Sequence, residues 1–182
     1  MQYIGNYLDQ LPAGFIDAIA NDPGEVVPVY QPEKWSGRPE YDQARILLET
    51  AGYPALDYHF HQYTRTTPCI QALGDLRDLN FVPADLDVDK YSDFHWWAVK
   101  YMPGDMQPMH FDPHIIQTQS CVRYTMMLTD FVDGHIFVYD NNMINNYRAG
   151  DLFRWPDAMI YHGAANIAMV PRISLQISYY TL

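Results

Sequence analysis

The chain has 182 residues, of which 48% are hydrophobic and 15% aromatic, so it has the size and apolar content of one folded domain. Its formal net charge of −11 argues against nucleic acid and anionic membrane surfaces as partners. Cys69 and Cys121 form no CxxC pair and are interpreted as free thiols. The start, MQYIGNYLDQLPAGF, lacks the pattern of a secretory signal, and no stretch has the ~20 apolar residues of a membrane helix, so we expect a cytoplasmic protein.

Residues 1–93 are predicted to form helices and loops. Apolar residues recur at helical spacing behind Pro12 and stop at the breaker cluster NDPG, residues 21–24. A second short helix is predicted from about Tyr41 to Ala51, followed by a glycine stop. A third is predicted from about Pro68 to Leu79, because apolar residues again recur at helical spacing.

From about Phe94 the pattern changes to short apolar or alternating runs separated by turn residues, which is typical of antiparallel β structure. The predicted strands are WWAVKYM, QPMHFD, VRYTMML, HIFVYD, DLFRW, MIYHGA and RISLQISYY. So many short strands predict a compact jelly roll. We therefore expect a single α+β, β-dominated domain over residues 1–182, in which N-terminal helices from region 1–93 pack outside a double-stranded β-helix at 94–182.

The last predicted strand, RISLQISYY, has one polar and one apolar face. Arg172, Ser174, Gln176 and Ser178 share the first face, and the residues between them share the second. The polar face is either solvated or turned towards the inside of the barrel, with the apolar face packed on the N-terminal helices. A polar interior would predict a polar ligand.

A candidate metal site begins with the triplet His110-Phe111-Asp112. Residues two apart on a strand point to the same side, so one imidazole and one carboxylate would face one metal ion. His162, on a later predicted strand, supplies a third ligand. Two histidines and one carboxylate leave open positions on the metal, which is typical of non-haem Fe(II) oxygenases rather than of closed structural zinc sites.

Arg172 and Ser174 predict a second half of this site. A guanidinium inside a barrel is costly unless it meets an anion, and its fork matches a carboxylate in two parallel hydrogen bonds. The hydroxyl of Ser174 can add a third hydrogen bond. These two residues are therefore predicted to bind the carboxylate of a co-substrate.

The order H-x-D, distal His, R-x-S resembles the 2-oxoglutarate/Fe(II)-dependent dioxygenases, in particular their prolyl-hydroxylase-like branch. The Pro-Gly-Asp turn before the triplet, the Gly-Asp opening of the strand before the distal histidine, and His162-Gly163 also match that branch. The resemblance covers roughly residues 94–182 and does not extend into the first half of the chain.

The resemblance implies that His110, Asp112 and His162 bind iron and that Arg172 and Ser174 hold 2-oxoglutarate. Tyrosines flanking the triplet strand contact the co-substrate in that branch, and the nearest candidates here are Tyr101 and Tyr124. With Fe(II), 2-oxoglutarate and O2, the expected reaction is hydroxylation of a C–H bond with release of succinate and CO2.

The substrate is expected to be a small molecule or a peptidyl, prolyl-like group. Relatives place a substrate-covering loop between the triplet strand and the next, where Ile115, Ile116 and Gln117 lie. Gln107 and Trp155 are further candidate contacts. The alternative for the loop is a plain connection without a contact role.

Two other functions remain open at this point. A cupin-like metalloenzyme that does not use 2-oxoglutarate would need the metal ligands but would give Arg172 no role. A non-catalytic β-barrel interaction module would keep the fold, and its function would not change when Asp112 is lost.

Overall fold

The computed structural model describes residues 1–28, 50, 68–75, 79, 81–91, 93–110, 121–156 and 160–181. The elements are, in chain order, β1 (Gln2–Asn6), α1 (Phe15–Asn21), β2 (Glu25–Pro28), β3 (Pro68–Asp75), β4 (Asp93–Tyr101), β5 (Met106–His110), β6 (Cys121–Met127), β7 (His135–Tyr139), β8 (Asn142–Met143), β9 (Asp151–Arg154), β10 (His162–Asn166) and β11 (Arg172–Tyr180).

The last eight strands pair as a long hairpin that is rolled up on itself. β7 pairs with β8, β6 with β9, β5 with β10 and β4 with β11, all antiparallel. Pairing of β11 with β6 and of β10 with β7 joins these hairpin layers into two sheets. Their strand orders are β1-β9-β6-β11-β4-β3-β2 and β5-β10-β7-β8. This nested pairing over two sheets is the jelly roll predicted for the second half of the chain.

All seven predicted strands of the second half are present, as β4, β5, β6, β7, β9, β10 and β11. The two-residue strand β8 was not predicted. It pairs with β7 across a tight turn in which Asp140 has a positive φ of 50°. Two residues are too few to show an alternating pattern, so the sequence carries no signal for it.

The first half adds strands to the larger sheet. β1 pairs with β9 at one edge, and β3 pairs with β4 towards the other. The predicted helix from Pro68 to Leu79 is wrong, because Pro68–Asp75 is β3. Without β3, one edge of β4 would leave its backbone N–H and C=O groups unpaired, and this long-range pairing outweighs the local helical pattern. The predicted helix at 41–51 lies, but for residue 50, outside the described residues.

The apolar face of β11 lies outside the barrel, under a layer from the first half. Ile173, Leu175 and Ile177 are buried in one cluster with Ile19 of α1 and with Phe81. The helix thus covers this face of the seven-stranded sheet. Hydrophobic burial of this kind gives α1, which is only seven residues long, most of its stability.

A buried lysine fastens α1 to the sheet. Lys100 of β4 is 7% exposed, and its Nζ donates to the carbonyl oxygens of Ala20 at 2.9 Å and Asp22 at 2.7 Å. The carbonyls at a helix C-terminus lack partners within the helix and carry a partial negative charge. The Lys100 ammonium satisfies them and complements that charge.

Replacing Lys100 by methionine is expected to lower the free energy of unfolding by about 1–3 kcal/mol, because charged hydrogen bonds are lost while the apolar stem is kept. Urea denaturation measures the change. Lys90→Met is the matched control, since Lys90 is exposed and paired with Asp87 at 3.0 Å, and its stability should be unchanged. Equal losses in the two variants would contradict the assignment.

A second buried cluster fills the space between the two sheets. It contains Val99, Tyr101, Met127, Phe137, Ile144, Tyr147, Trp155 and Ala164. The polar face of β11 points into this space, since Arg172 and Ser174 pair with Tyr101, Val99 and Met127 of the neighbouring strands. The barrel interior therefore combines aromatic rings with buried polar groups.

The structure bears on two predictions made from the sequence, one about the Cys121 thiol and one about membrane helices. Cys121 is a free, half-buried thiol, and burial raises its pKa. Among the described residues, no helix is long and apolar enough to cross a membrane.

Candidate metal and carboxylate site

The two predicted histidine ligands lie opposite each other on neighbouring strands. His110 ends β5 and His162 opens β10, and their Cα atoms are partners in the antiparallel ladder. Such partners share one face of a sheet with Cα atoms about 4.5–5.5 Å apart. The structure describes the backbone of His110, and Asp112 lies outside the described residues. It thus brings together the positions of two of the three predicted ligands.

The complete three-residue metal site stays a prediction. Within the described part of the chain, no group of three His, Cys, Asp or Glu side chains is arranged to hold a metal ion. The predicted group needs Asp112 and the imidazole of His110, neither of which belongs to that part.

A β-bulge next to the histidine pair shapes the local backbone. His162 pairs with His110, but Ala164 pairs with Gln107, so β5 contains one extra residue. Gly163 faces the bulge, and a Cβ there would stand 3.1 Å from the Gln107 carbonyl oxygen and from Met109. Glycine therefore lets the two strands approach closely where the predicted ligands sit.

The imidazole of His162 has a defined tautomer. Its Nδ1 lies 3.0 Å from the carbonyl oxygen of Ile160, which can only accept a hydrogen bond. Nδ1 therefore carries a proton, and Nε2 is the nitrogen that the neutral ring would offer to a metal. The ring is buried and stands perpendicular to the indole of Trp155, at 4.6 Å between centroids. The imidazole of His162 thus contacts a backbone carbonyl at Nδ1 and an indole at its face or edge.

Arg172 is the first residue of β11 and is only 1% exposed. Its Cζ lies 5.5 Å from the Tyr101 ring centroid and 5.0 Å from that of Phe137. Nη2 reaches the Met127 sulfur at 3.9 Å, a weak acceptor, and Nε has no hydrogen-bond partner. Within the described residues, no carboxylate pairs with this guanidinium. Cation–π contacts offset only part of its desolvation.

Ser174 and Tyr101 complete the surroundings of Arg172. The buried hydroxyl of Ser174 shares the inward face of β11 and has no hydrogen-bond partner. Tyr101 is the cross-strand partner of Arg172, and its hydroxyl donates to Oε1 of Gln107 at 2.6 Å. Unsatisfied buried polar groups are rare in folded proteins, and the inward face of β11 carries three of them, on Arg172, Ser174 and Ser178. The neighbouring Arg172 and Ser174 point to a missing acceptor beside them.

Tyr124 is a correction to the predicted site. It is fully buried in the outer cluster with Leu175 and Ile177, on the opposite side of the sheet from Arg172. Its hydroxyl donates to Asp85 at 3.1 Å outside the barrel. Tyr124 points outwards because it is the cross-strand partner of Ile177, which belongs to the apolar face of β11. The tyrosine therefore cannot contact a ligand of Arg172.

Four neighbours of Arg172 had not been singled out from the sequence, namely Met127, Phe137, Tyr147 and His135. Burial raises the pKa of Tyr147, and burial together with the Arg172 charge lowers the pKa of His135. Both groups are therefore neutral near pH 7, so the Tyr147 hydroxyl interacts with the guanidinium by hydrogen bonding but neither group brings a negative charge to Arg172. Alternate residues of β6 face the barrel interior, and this alternation in the sequence would have indicated Met127 as a neighbour of Arg172.

The predicted substrate contacts fall into two groups. Gln107 is half-buried next to Tyr101, and Trp155 is buried against His162. Both line the interior near the predicted metal position. Ile115, Ile116 and Gln117 lie outside the described residues. Contact with a substrate stays a prediction for all five.

His162 lies on the four-stranded sheet and Arg172 on the seven-stranded sheet, and both belong to the barrel interior. Phe137 pairs with Ala164, which is one same-face step, about 7 Å, along β10 from His162. The Phe137 ring in turn contacts Arg172. The row of side chains that contains Phe137 thus lies between the histidine position and the buried cation.

No family model and no curated protein sequence matches the chain. Among solved structures, a cupin 2 conserved barrel domain protein from Salinispora arenicola is 13% identical, with a TM-score of 0.38 over 61% of this chain and 75% of its own. A predicted oxalate decarboxylase from Thermotoga maritima gives 15% identity and a TM-score of 0.40, over 63% and 81% of the two chains. KdgF from Halomonas gives 12% and 0.39, over 61% and 79%. These similarities are remote, and the jelly-roll assignment rests on the strand pairing described above.

Proposed function

We propose that this protein is a 2-oxoglutarate- and Fe(II)-dependent oxygenase that hydroxylates a C–H bond of a small molecule or a peptidyl group, with release of succinate and CO2. The observation that carries the proposal is Arg172, a buried guanidinium whose Nε lacks a partner, one side-chain row from the position of the histidine pair. A dicarboxylic co-substrate supplies the acceptor that this cation needs.

Arg172 and Ser174 bind the distal carboxylate in this proposal. The guanidinium offers Nε–H together with its terminal N–H groups, and Ser174 offers a hydroxyl that has no other partner. Tyr101 and Phe137 hold the guanidinium between aromatic rings, which fixes its position before the ligand arrives. This pre-organisation lowers the entropy cost of binding.

His162 contributes the Nε2 lone pair, and His110 and Asp112 are proposed as its co-ligands. Bound Fe(II) and 2-oxoglutarate would supply the oxygen-activating chemistry, which no protein side chain provides by itself. The chain's own part is to orient the imidazole through the Ile160 carbonyl and to exclude water by means of the buried cluster between the sheets.

An anaerobic titration with Fe(II) and 2-oxoglutarate tests the proposal. A 2-oxo acid chelated to ferrous iron gives a weak visible absorption band, and we expect this band only when protein, metal and co-substrate are all present. Succinate release under air, dependent on Fe(II), is the second measurement. A folded protein that gives no band and no succinate would overturn the proposal.

The same titration separates the two other functions. A metalloenzyme that does not use 2-oxoglutarate would bind Fe(II) or Co(II) but would show no band. A non-catalytic module would bind neither metal nor co-substrate. The unpartnered Nε of Arg172 favours an enzyme that binds an anion in the barrel, and the titration decides whether that anion is 2-oxoglutarate.

A further inference from the structure

Trp155 connects His162 to the larger sheet. Its backbone N–H donates to the Arg123 carbonyl at 2.9 Å, which extends the pairing of β9 with β6 beyond the end of β9. The side chain is 4% exposed, and its indole stands at 81° to the His162 imidazole. The guanidinium of Arg123 lies 5.0 Å from the centroid of the same indole. Trp155 is thus packed between the histidine and the inward face of β6.

A hydrogen-bond relay fixes the indole. Trp155 Nε1 donates to Thr125 Oγ1 at 2.8 Å, and Thr125 Oγ1 donates to Gln176 Oε1 at 2.7 Å. An indole N–H can only donate and an amide carbonyl oxygen can only accept, so Thr125 Oγ1 accepts from Trp155 and donates to Gln176. Thr125 is fully buried and is the cross-strand partner of Gln176. The relay therefore starts from two adjacent central strands and ends at the ring that contacts His162.

The indole of Trp155 is a constraint on the His162 imidazole in addition to the bond to Ile160. The bond from Nδ1 to Ile160 sets the tautomer, but Ile160 precedes β10 in a segment without regular secondary structure. A metal ligand must keep its lone pair aimed within narrow limits, and groups around the ligands commonly provide that restraint. The perpendicular indole restricts rotation of the imidazole about its bond to Cβ.

We propose that Thr125 and Gln176 are positioning residues that act through Trp155 to hold the His162 imidazole in its metal-binding orientation. The inference rests on the proposed function only in taking His162 as a metal ligand. It assigns a purpose to a buried polar relay that the binding of 2-oxoglutarate at Arg172 does not use.

Co(II) binding to the purified protein tests the inference, because Co(II) replaces Fe(II), is stable in air, and reports ligand geometry in its visible spectrum. Thr125→Val keeps the shape of the side chain but leaves the indole N–H without an acceptor. It is expected to weaken Co(II) affinity about 10–100-fold and to alter the spectrum. Thr125→Ser keeps the hydroxyl and is expected to retain the wild-type spectrum and affinity. Thermal unfolding of each variant checks that it is folded.

Trp155→Phe is the second variant, in case Thr125→Val does not fold. It keeps an aromatic ring without the N–H, so we expect weakened Co(II) binding with an altered spectrum, as for Thr125→Val. Wild-type Co(II) binding by Thr125→Val or Trp155→Phe would overturn the inference. So would a Thr125→Ser variant as weak as Thr125→Val, since methyl packing rather than the hydroxyl would then matter. A wild-type protein that binds no Co(II) would reject His162 as a ligand and with it the proposed function.

Discussion

Replacing Arg172 by methionine is expected to weaken 2-oxoglutarate binding by at least about 30-fold while leaving the ligand-free protein at least as stable as the wild type. Loss of a buried, charged hydrogen-bond donor costs a ligand about 2–5 kcal/mol, or roughly 30-fold to several thousand-fold in affinity. Methionine fills a similar volume without a charge, and buried ions are often replaced by apolar groups without loss of stability. The structure gives Arg172 no carboxylate among the described residues, so the wild type bears the desolvation cost without a ligand.

Isothermal titration with 2-oxoglutarate, in the presence of Co(II), measures the first effect, and urea denaturation measures the second. Arg154→Met is the matched control, because Arg154 is paired with Asp85 at 2.8 Å on the outside of the barrel. It should bind 2-oxoglutarate as the wild type does. If Arg172→Met bound 2-oxoglutarate normally, or unfolded much more easily without ligand, the cation would be a structural group and the carboxylate assignment would be wrong.

His162→Ala is expected to weaken Fe(II) or Co(II) binding by more than about 100-fold, because it removes a ligand rather than a group behind a ligand. Turnover should fall below detection for the same reason. The structure supports this through the contact of His162 Nδ1 with the Ile160 carbonyl, which turns Nε2 to the other side of the ring, and through its register with His110. Equilibrium titration with Co(II) measures the affinity directly and does not require the substrate to be identified.

His95→Ala is the matched control for His162. His95 lies on β4, its side chain is 53% exposed, and its Nε2 lies 3.0 Å from the Asp93 carboxylate. Metal affinity should be unchanged in this variant. Together, His162→Ala and Arg172→Met separate the possible functions. A metalloenzyme that does not use 2-oxoglutarate needs His162 but not Arg172. A non-catalytic module needs neither residue for its binding surface. Undiminished metal affinity in His162→Ala would remove the histidine from the site.

The strands of the second half could be predicted from the sequence because each alternates in polarity or lies between turn residues. β11 is the strongest case, since its two faces differ in every residue from Arg172 to Ser178. Its polar face was open to two interpretations, solvated or inward. The structure decides for the barrel interior, because the apolar face is covered by α1 and by residues of the outer cluster.

The first half was harder to predict because its structure depends on distant partners. The stretch Pro68–Asp75 carries a helical spacing of apolar residues but forms β3 along β4. Residues 2–6 showed no strand pattern, yet they form β1 against β9, which follows them by more than a hundred positions. In both cases an unpaired sheet edge supplies the driving force, and no local window of sequence contains that edge.

The two predicted tyrosines of the site also could not be distinguished from the sequence, because their orientation depends on strand register. Tyr101 and Tyr124 were equivalent candidates, each on a strand next to the triplet strand. The register places Tyr101 opposite Arg172 and Tyr124 opposite Ile177, so one faces the interior and the other the outer cluster. A shift of one residue in register reverses the face that a side chain occupies, and the register between strands is set by pairing with distant residues.

By itself, the sequence determined the kinds of group at the site: a histidine-carboxylate triplet, a distal histidine, and an arginine and a serine on one strand face. These depend on local spacing, because alternation along a strand decides which residues share a side. Only the tertiary structure decided which groups meet. Nested antiparallel pairing sets His162 against His110 and surrounds Arg172 with Tyr101, Phe137 and Met127, since register and sheet closure are properties of the whole barrel.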